Sequence, residues 1–294
     1  MNYIVLDSEW NSVYFKEKNK YINELVEIGA VKLDENLEVI DKFDCVIKSK
    51  LTNKLSSRFI NLTNISNEEM LSGVSLEEAF EQYKKWAGTD TVTFTWSDSD
   101  LYTLYHNCED LLGLDYIPGF EKYADAQKIV QNFMISQGFV LESQISLENA
   151  AHFLEVSVDN IELHRASDDS KLTSQLLKKS QSVDFSRFIS DCRNSDFYGK
   201  IAFKPYVITD LNSKIVKKNK MRFKCDICKG KTKQITPWKF KNGGFNAQFV
   251  CKKCAISFTG VVIFKKYYNK ISFKKFKKCV ICNQKNKKES PKNK

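Results

Sequence analysis

Four groups of residues in this 294-residue chain have the types and spacing to do chemistry. The first is Asp7-Ser8-Glu9, after the apolar run Tyr3–Leu6. In an extended chain residues i and i+2 project to one face, so a strand ending here aims both carboxylates the same way. Two crowded acids repel unless a cation lies between them. The second group is Asp98 and Asp100, in Phe94-Thr-Trp-Ser-Asp-Ser-Asp-Leu101, and the third is His164-Arg-Ala-Ser-Asp-Asp169. Four carboxylates from three separated segments, brought together, would hold hard divalent cations, which take oxygen ligands. Two such ions about 4 Å apart would clamp the attacking and leaving oxygens of a phosphoryl displacement. The fourth group is a series of CxxC pairs, Cys225/Cys228, Cys251/Cys254 and Cys279/Cys282.

The cysteine pairs point to zinc. Cys225-Asp-Ile-Cys228 and Cys251-Lys-Lys-Cys254 stand 22 residues apart, a spacing that reads as a tetrahedral four-thiolate Zn²⁺ site, with an iron site of the rubredoxin kind or reactive dithiols as the competing readings. Thr232–Val250 between them, with Gly243-Gly244, has the content of a β-hairpin, so this part resembles a zinc ribbon. Cys279/Cys282 follows after a similar gap of 24 residues; it is left open whether it replaces one of the other pairs, joins a second site or stays free. The single Cys45, Cys108 and Cys192 read as small buried apolar residues.

Net charge divides at the same place. Residues 1–180 hold 17 Lys and Arg against 30 Asp and Glu, net −13, whereas 181–294 hold 29 against 6, net +23. So steep an asymmetry predicts that the basic part meets a polyanion, with nucleic acid first because counterion release drives its association. Aromatics interleave with the cations at Trp238-Lys-Phe-Lys241, Phe264-Lys-Lys-Tyr-Tyr268 and Phe273-Lys-Lys-Phe-Lys-Lys278. They serve either to stack on unpaired bases or to build the module's own small core. Hydrophobic residues make up 42% of the chain, enough for a core, and no stretch approaches the roughly 20 apolar residues of a membrane span. The start, MNYIVLDSEW, lacks a basic leader and a small-residue cleavage site, so a cytoplasmic protein with reduced cysteines is expected.

These groups need elements to hold them. Tyr3–Leu6, Leu25–Leu33 and Val39–Ile47 read as strands of an antiparallel meander, with Asp34-Glu35-Asn36 as a turn. Ser75-Leu-Glu-Glu78 is a capping box that opens a helix through Trp86. Thr91–Trp96 reads as a further strand, and Leu101–Leu112, Asp125–Gln137, Ser146–Leu154 and Asp168–Lys179 as helices. The class is α/β, a mixed sheet flanked by helices, followed by a small β-rich module. The expected division is a first domain over 1–182, a connecting region over 183–219 with a β-like piece at Lys200–Ile208, a basic Cys-rich module over 220–284 and a disordered polar tail over 285–294.

At this point the first 180 residues resemble the DEDDh 3′–5′ exonucleases, the ribonuclease H-like group that includes ribonuclease T, oligoribonuclease and polymerase proofreading subunits. IVLDSEW resembles their first motif, ELVEIGAVKLDE their second strand, LTNISNEEM their loop segment, TWSDSDL their second motif and HRASDDSKLT their third, spaced HxxxxD. The resemblance implies that Asp7, Glu9, Asp100 and Asp169 hold two Mg²⁺ or Mn²⁺ ions and that His164 is the general base. Asp98 competes with Asp100, which lies nearer the helix start; HxxxxD selects Asp169 over Asp168. Asp125 is either a helix cap or an outer acid, and Trp10 either stacks on the terminal base or shapes its pocket. The implied activity is 3′–5′ hydrolysis of single-stranded nucleic acid, RNA favoured over DNA, to nucleoside 5′-monophosphates. The competing expectation is a catalytically silent zinc-ribbon adaptor.

Overall fold

The computed structural model describes residues 2–158 and 164–282, and it separates into two compact units, Met1–Ala202 and Phe203–Lys294. The first unit is built on strands β1 (Asn2–Phe15), β2 (Lys20–Leu33), β3 (Val39–Val46), β4 (Thr91–Thr95), β5 (Lys122–Asp125) and β6 (Ser190–Asp191), in the sheet order β3-β2-β1-β4-β5-β6. β1, β2 and β3 form the antiparallel meander, β1-β4 and β4-β5 are parallel, and β6 closes the edge antiparallel to β5.

Alternation along β1 divides the core. Ile4 and Leu6 pack on one face with Leu76, Phe80 and Tyr83 of α3 (Leu76–Ala87) and Leu101 and Leu104 of α4 (Ser99–Asn107). Val5, between them, packs on the other face with Val31, Phe94, Ile129 of α5 (Ala126–Ser136) and Leu177 of α7 (Ala166–Lys179). This is the two-residue period of a strand covered on both sides. Three short helices complete the unit's first part: α1 (Ser57–Thr63), α2 (Asn67–Ser72) and α6 (Leu147–Phe153). Caps lie where side chains can satisfy the first-turn amides: Ser75 Oγ accepts from Glu78 N–H at 3.1 Å and Asp125 Oδ1 from Lys128 N–H at 3.2 Å.

Three expectations need correction. β1 does not end at Asp7-Ser8-Glu9; it continues to Phe15, pairing with β2 throughout. Only its parallel neighbour stops, because the β4 register ends at Val5↔Phe94. The acids therefore sit mid-strand, where the sheet loses a neighbour on one side. The second difference lies in 183–219. Phe185–Phe188 is a 3₁₀ turn, Ser190–Asp191 is β6 and Ser195–Ala202 is helix α8. Cys192, Tyr198 and Ile201 are buried in the first unit's core, and Tyr198 stacks on Tyr105 at 5.4 Å. The division between units falls after Ala202. Third, Lys200 is helical, and only Tyr206–Val207 (β7) of the piece Lys200–Ile208 is strand.

The second unit is an antiparallel sheet of β10 (Gly244–Cys251), β11 (Ile256–Lys266) and β12 (Ile271–Cys282). Short β8 (Lys233–Gln234) and β9 (Lys239–Lys241) lie against β10, and β7 against β11. Phe223, Phe245, Phe249, Phe258 and Phe264 form its core, so these rings are structural. The expected tail at 285–294 lies outside the described residues, as do the side chains of Cys279 and Cys282; the backbone of Cys282 pairs with Ile256.

Candidate active site

Asp7 and Glu9 project from the same side of β1, and α7 brings Asp169 to them. The approach of α7 depends on Gly29, which stands opposite Asp7 in β2. A Cβ at Gly29 would lie 2.1 Å from Ser167 N and 2.3 Å from Ala166 C, so only glycine lets the helix start this close to the sheet. Ser170 Oγ donates to Gly29 O at 2.9 Å. Glu27, opposite Glu9, fixes the same turn: Ala166 N–H donates to its Oε2 at 3.0 Å and Arg165 Nε to its Oε1 at 3.1 Å. Arg165 also reaches Glu69 of α2 at 3.2 Å. As a result, carboxylate oxygens of Asp7, Glu9 and Asp169 all lie within 4.8 Å of one another.

Asp100 stands beside this group, outside the set of oxygens that lie within 4.8 Å of one another. It sits in the first turn of α4, 4% exposed, and its Oδ1 accepts from Ser8 N–H at 3.0 Å and Ser8 Oγ at 2.7 Å. Because Ser8 lies between Asp7 and Glu9, this pair of bonds ties the start of α4 to the acid-bearing stretch of β1. Asn107, at the other end of α4, accepts from Leu25 N–H and donates to Asn23 O, anchoring the helix along β2. Asp98 is engaged elsewhere, accepting from Tyr123 Oη at 3.2 Å and Lys128 Nζ at 3.1 Å. Asp125 caps α5. Trp10 is half-buried at a β-bulge: the register steps from Glu9↔Glu27 to Trp10↔Leu25 and leaves Val26 without a partner on β1. His164 is exposed, adopts a left-handed backbone with φ +70° and donates its N–H to Asp169 Oδ2 at 3.3 Å.

The electrostatics of this cluster are those of acids held too close. Burial, then the charges of Asp100 and Asp169, raise Asp7 well above the usual carboxylate range. Burial, followed by Asp169 and Glu27, lifts Glu9 to about 8. Burial lifts Asp100 to about 7 against the two Ser8 hydrogen bonds, and lifts Asp169 to about 6 against the His164 N–H bond. Asp169 Oδ1 is buried and has no hydrogen-bond partner among the described residues. Oxygen-only donors, mutual repulsion and an orphaned buried oxygen together fit divalent cations of the Mg²⁺ or Mn²⁺ kind.

The second unit holds the other cluster. Sulfurs of Cys225, Cys228, Cys251 and Cys254 lie within 4.8 Å of one another, and Cys228 Sγ is 3.6 Å from Cys251 Sγ. Each CxxC is followed by a residue in the left-handed region, Lys229 (φ +57°) and Ala255 (φ +50°), so both pairs use the same turn. Amide N–H groups of Cys228 and Ile227 point at the Cys225 sulfur and lower its thiol to about 7. Burial and the neighbouring sulfurs raise the Cys254 thiol to about 12, so the four sulfurs crowd one another, and their convergence fits Zn²⁺.

Sequence reasoning missed Ser8, Glu27, Gly29 and Arg165 as supports of the acid cluster. A signal was present: Glu27 is a charged residue within a strand whose neighbours Leu25–Val31 are all buried. Buried charge in such a place is kept only when paired.

A mixed sheet with helices on both faces and a carboxylate cluster beside its central strand is the fold shared by DEDDh-type, ribonuclease H-like exonucleases. The chain belongs to the exonuclease family of ribonuclease T, whose profile matches residues 4–177. Over 86 residues it is 35% identical to a PolC-type DNA polymerase III of Staphylococcus aureus, covering 29% of this chain and 5% of the polymerase. It is 22% identical over 174 residues to the PolC-type polymerase of Thermotoga petrophila, covering 59% of this chain and 11% of that one. The chain thus matches a small part of these polymerases. Among solved structures it is similar to cell-death related nuclease 4 (TM-score 0.54, 18% identity, 62% of this chain and 64% of that chain). It is also similar to the nuclease domain of 3′hExo, a DEDDh family member bound to rAMP (TM-score 0.52, 20% identity, 62% and 92%). Among the described residues no helix is long and apolar enough to cross a membrane.

Proposed function

We propose that the chain is a metal-dependent 3′–5′ exonuclease that shortens single-stranded nucleic acid, RNA in preference to DNA, releasing nucleoside 5′-monophosphates. The observation that carries this reading is the convergence of Asp7, Glu9 and Asp169 within 4.8 Å, with Asp100 hydrogen-bonded to the intervening Ser8. Asp7, Glu9, Asp100 and Asp169 would hold two divalent ions. When bound, the ions supply a lowered water pKa and positive charge beside the scissile phosphate. His164 takes the proton of the attacking water. Its exposure leaves the imidazole accessible to substrate, and its N–H bond to Asp169 ties it to the acid cluster. The Glu27–Arg165 pair keeps the first turn of α7, and so Asp169, in place. The RNA preference is supported by the resemblance to RNA-trimming members, and the thiol-rich zinc site suits a reducing compartment such as the cytoplasm.

The test is digestion of 5′-labelled single-stranded RNA and DNA of one sequence, with Mn²⁺ or Mg²⁺, by the full chain and by Asp7→Ala and His164→Ala variants. The expected result is a 3′-shortening ladder with mononucleotide product, faster on RNA, lost in Asp7→Ala and reduced at least a hundredfold in His164→Ala. Intact substrates with the wild-type chain would leave the silent adaptor as the better reading. Cleavage from the 5′ end would refute the polarity.

A further inference from the structure

From Phe203 onward the chain has 26 Lys and Arg against three acids, but the second unit uses these cations in two ways. Two lysines of β12 act as stitches. Lys277 Nζ pairs with Asp226 at 2.5 Å and donates to Lys224 O at 2.6 Å, and Lys275 Nζ donates to Arg222 O at 3.1 Å. They bind β12 to the segment Arg222–Lys231, which carries the first CxxC and is closed by the Lys224↔Lys231 bridge. Other cations stay free to bind. Arg222, Lys224 and Lys231 are exposed, and among the described residues their side chains meet no carboxylate. Between this segment and β12 lies a cavity of about 810 Å³ with these three residues on its wall. That size is in the range of sites for small organic ligands. Phe276, 39% exposed, lines the same cavity and carries Lys278 Nζ 5.3 Å from its ring centre. The other phenylalanines nearby, Phe223 and Phe258, are buried in the unit's core.

We propose that this groove is a binding site for an unpaired stretch of nucleic acid, separate from the acid cluster of the first unit. Arg222, Lys224 and Lys231 meet consecutive phosphates, and Phe276 offers a ring on which one base stacks. The dense positive charge selects a polyanion, and the exposed ring selects one with unpaired bases. The inference rests on the reading that the chain works on nucleic acid, and it assigns a capture site to that reading.

The test uses the full chain carrying Asp7→Asn, so that nothing is hydrolysed, in zinc-containing buffer. Fluorescence anisotropy follows a labelled 12-nucleotide RNA across a salt series. Against this parent, Arg222→Gln/Lys224→Gln/Lys231→Gln is expected to bind at least tenfold more weakly at low salt. Its plot of log affinity against log salt should be shallower by about 2, at roughly 0.7 per phosphate lost from a single strand. Phe276→Ala is expected to lose roughly tenfold with the slope unchanged. Zinc content checks folding; should the triple variant lose zinc, Lys224→Gln alone is expected to flatten the slope by about 0.7. Unchanged affinity and slope would overturn the proposal. So would equal binding of a blunt duplex, or displacement of RNA by polyglutamate of equal charge, which would mark an acidic protein as occupant. Hydrolysis by the Asp7 chain is scored separately: its absence beside intact, groove-dependent binding defeats the exonuclease reading and leaves the groove standing.

Discussion

Asp7, Glu9, Asp100 and Asp169 all hold protons more tightly than free carboxylates, so pH and metal act on the same atoms. Folded-state values raised above the unfolded ones mean that the native chain binds more protons than the unfolded chain. The metal-free protein therefore has this contribution in full below about pH 4 and loses it as pH rises through about 6 to 8. Cations replace the protons and remove the repulsion. We expect Mn²⁺ to raise the melting temperature by several degrees at pH 8 and by little at pH 5, measured by thermal scanning at fixed metal concentration. A shift equal at both values would contradict the electrostatic account. Asp7→Asn removes one of the repelling charges, so it should melt higher than wild type in chelator while losing activity by a factor of at least about a thousand.

At the scale of elements, the site depends on how closely α7 meets β2. Gly29→Ala would push Ser167 N and Ala166 C away from a Cβ placed 2.1 and 2.3 Å from them, moving Asp169 with them. The expected outcome is a loss of about 2 kcal/mol or more in stability and a fall in turnover exceeding tenfold, read from denaturant unfolding and product release. Glu27→Gln keeps the shape but weakens the hold on Arg165; turnover should fall about 10- to 100-fold while the fold survives. The strands and the acid motifs were legible because alternation, apolar runs and DxE at a strand carry local signals. The length of β1 was not, since Asn11 and Ser12 interrupt the apolar pattern; the extension is held by pairing with β2 and by burial of Asn11 and Phe15, one of them polar. Residues 183–202 were misplaced for a related reason. Phe185–Phe188, Ser190–Asp191 and Ser195–Ala202 are too short to show a period, and what places Tyr198 and Ile201 is tertiary packing. Glu27 and Arg165 lie 138 positions apart, a pairing that single-chain spacing cannot reveal.

For the whole molecule, each of the two units has its own core and its own cluster of ligands. The charge division read from composition matches this arrangement, with the boundary displaced to Ala202/Phe203. Among the described residues the second unit's main apolar cluster holds ten buried residues, little for independent stability, so Zn²⁺ in the four-cysteine site is expected to supply a large part of its folding free energy. Cys251→Ser is expected to abolish zinc retention and to lower one of two calorimetric transitions, while the Mn²⁺-dependent shift of the other persists. Loss of both responses together would show that zinc is coupled to the acid cluster.

The most direct measurement is a Mn²⁺ titration of the zinc-loaded full chain at pH 8, followed by electron paramagnetic resonance in the presence of a nucleoside 5′-monophosphate. The account predicts two bound Mn²⁺ per wild-type chain and loss of at least one in Asp7→Asn and in Asp169→Asn. Identical Mn²⁺ binding by wild type and both variants would contradict it.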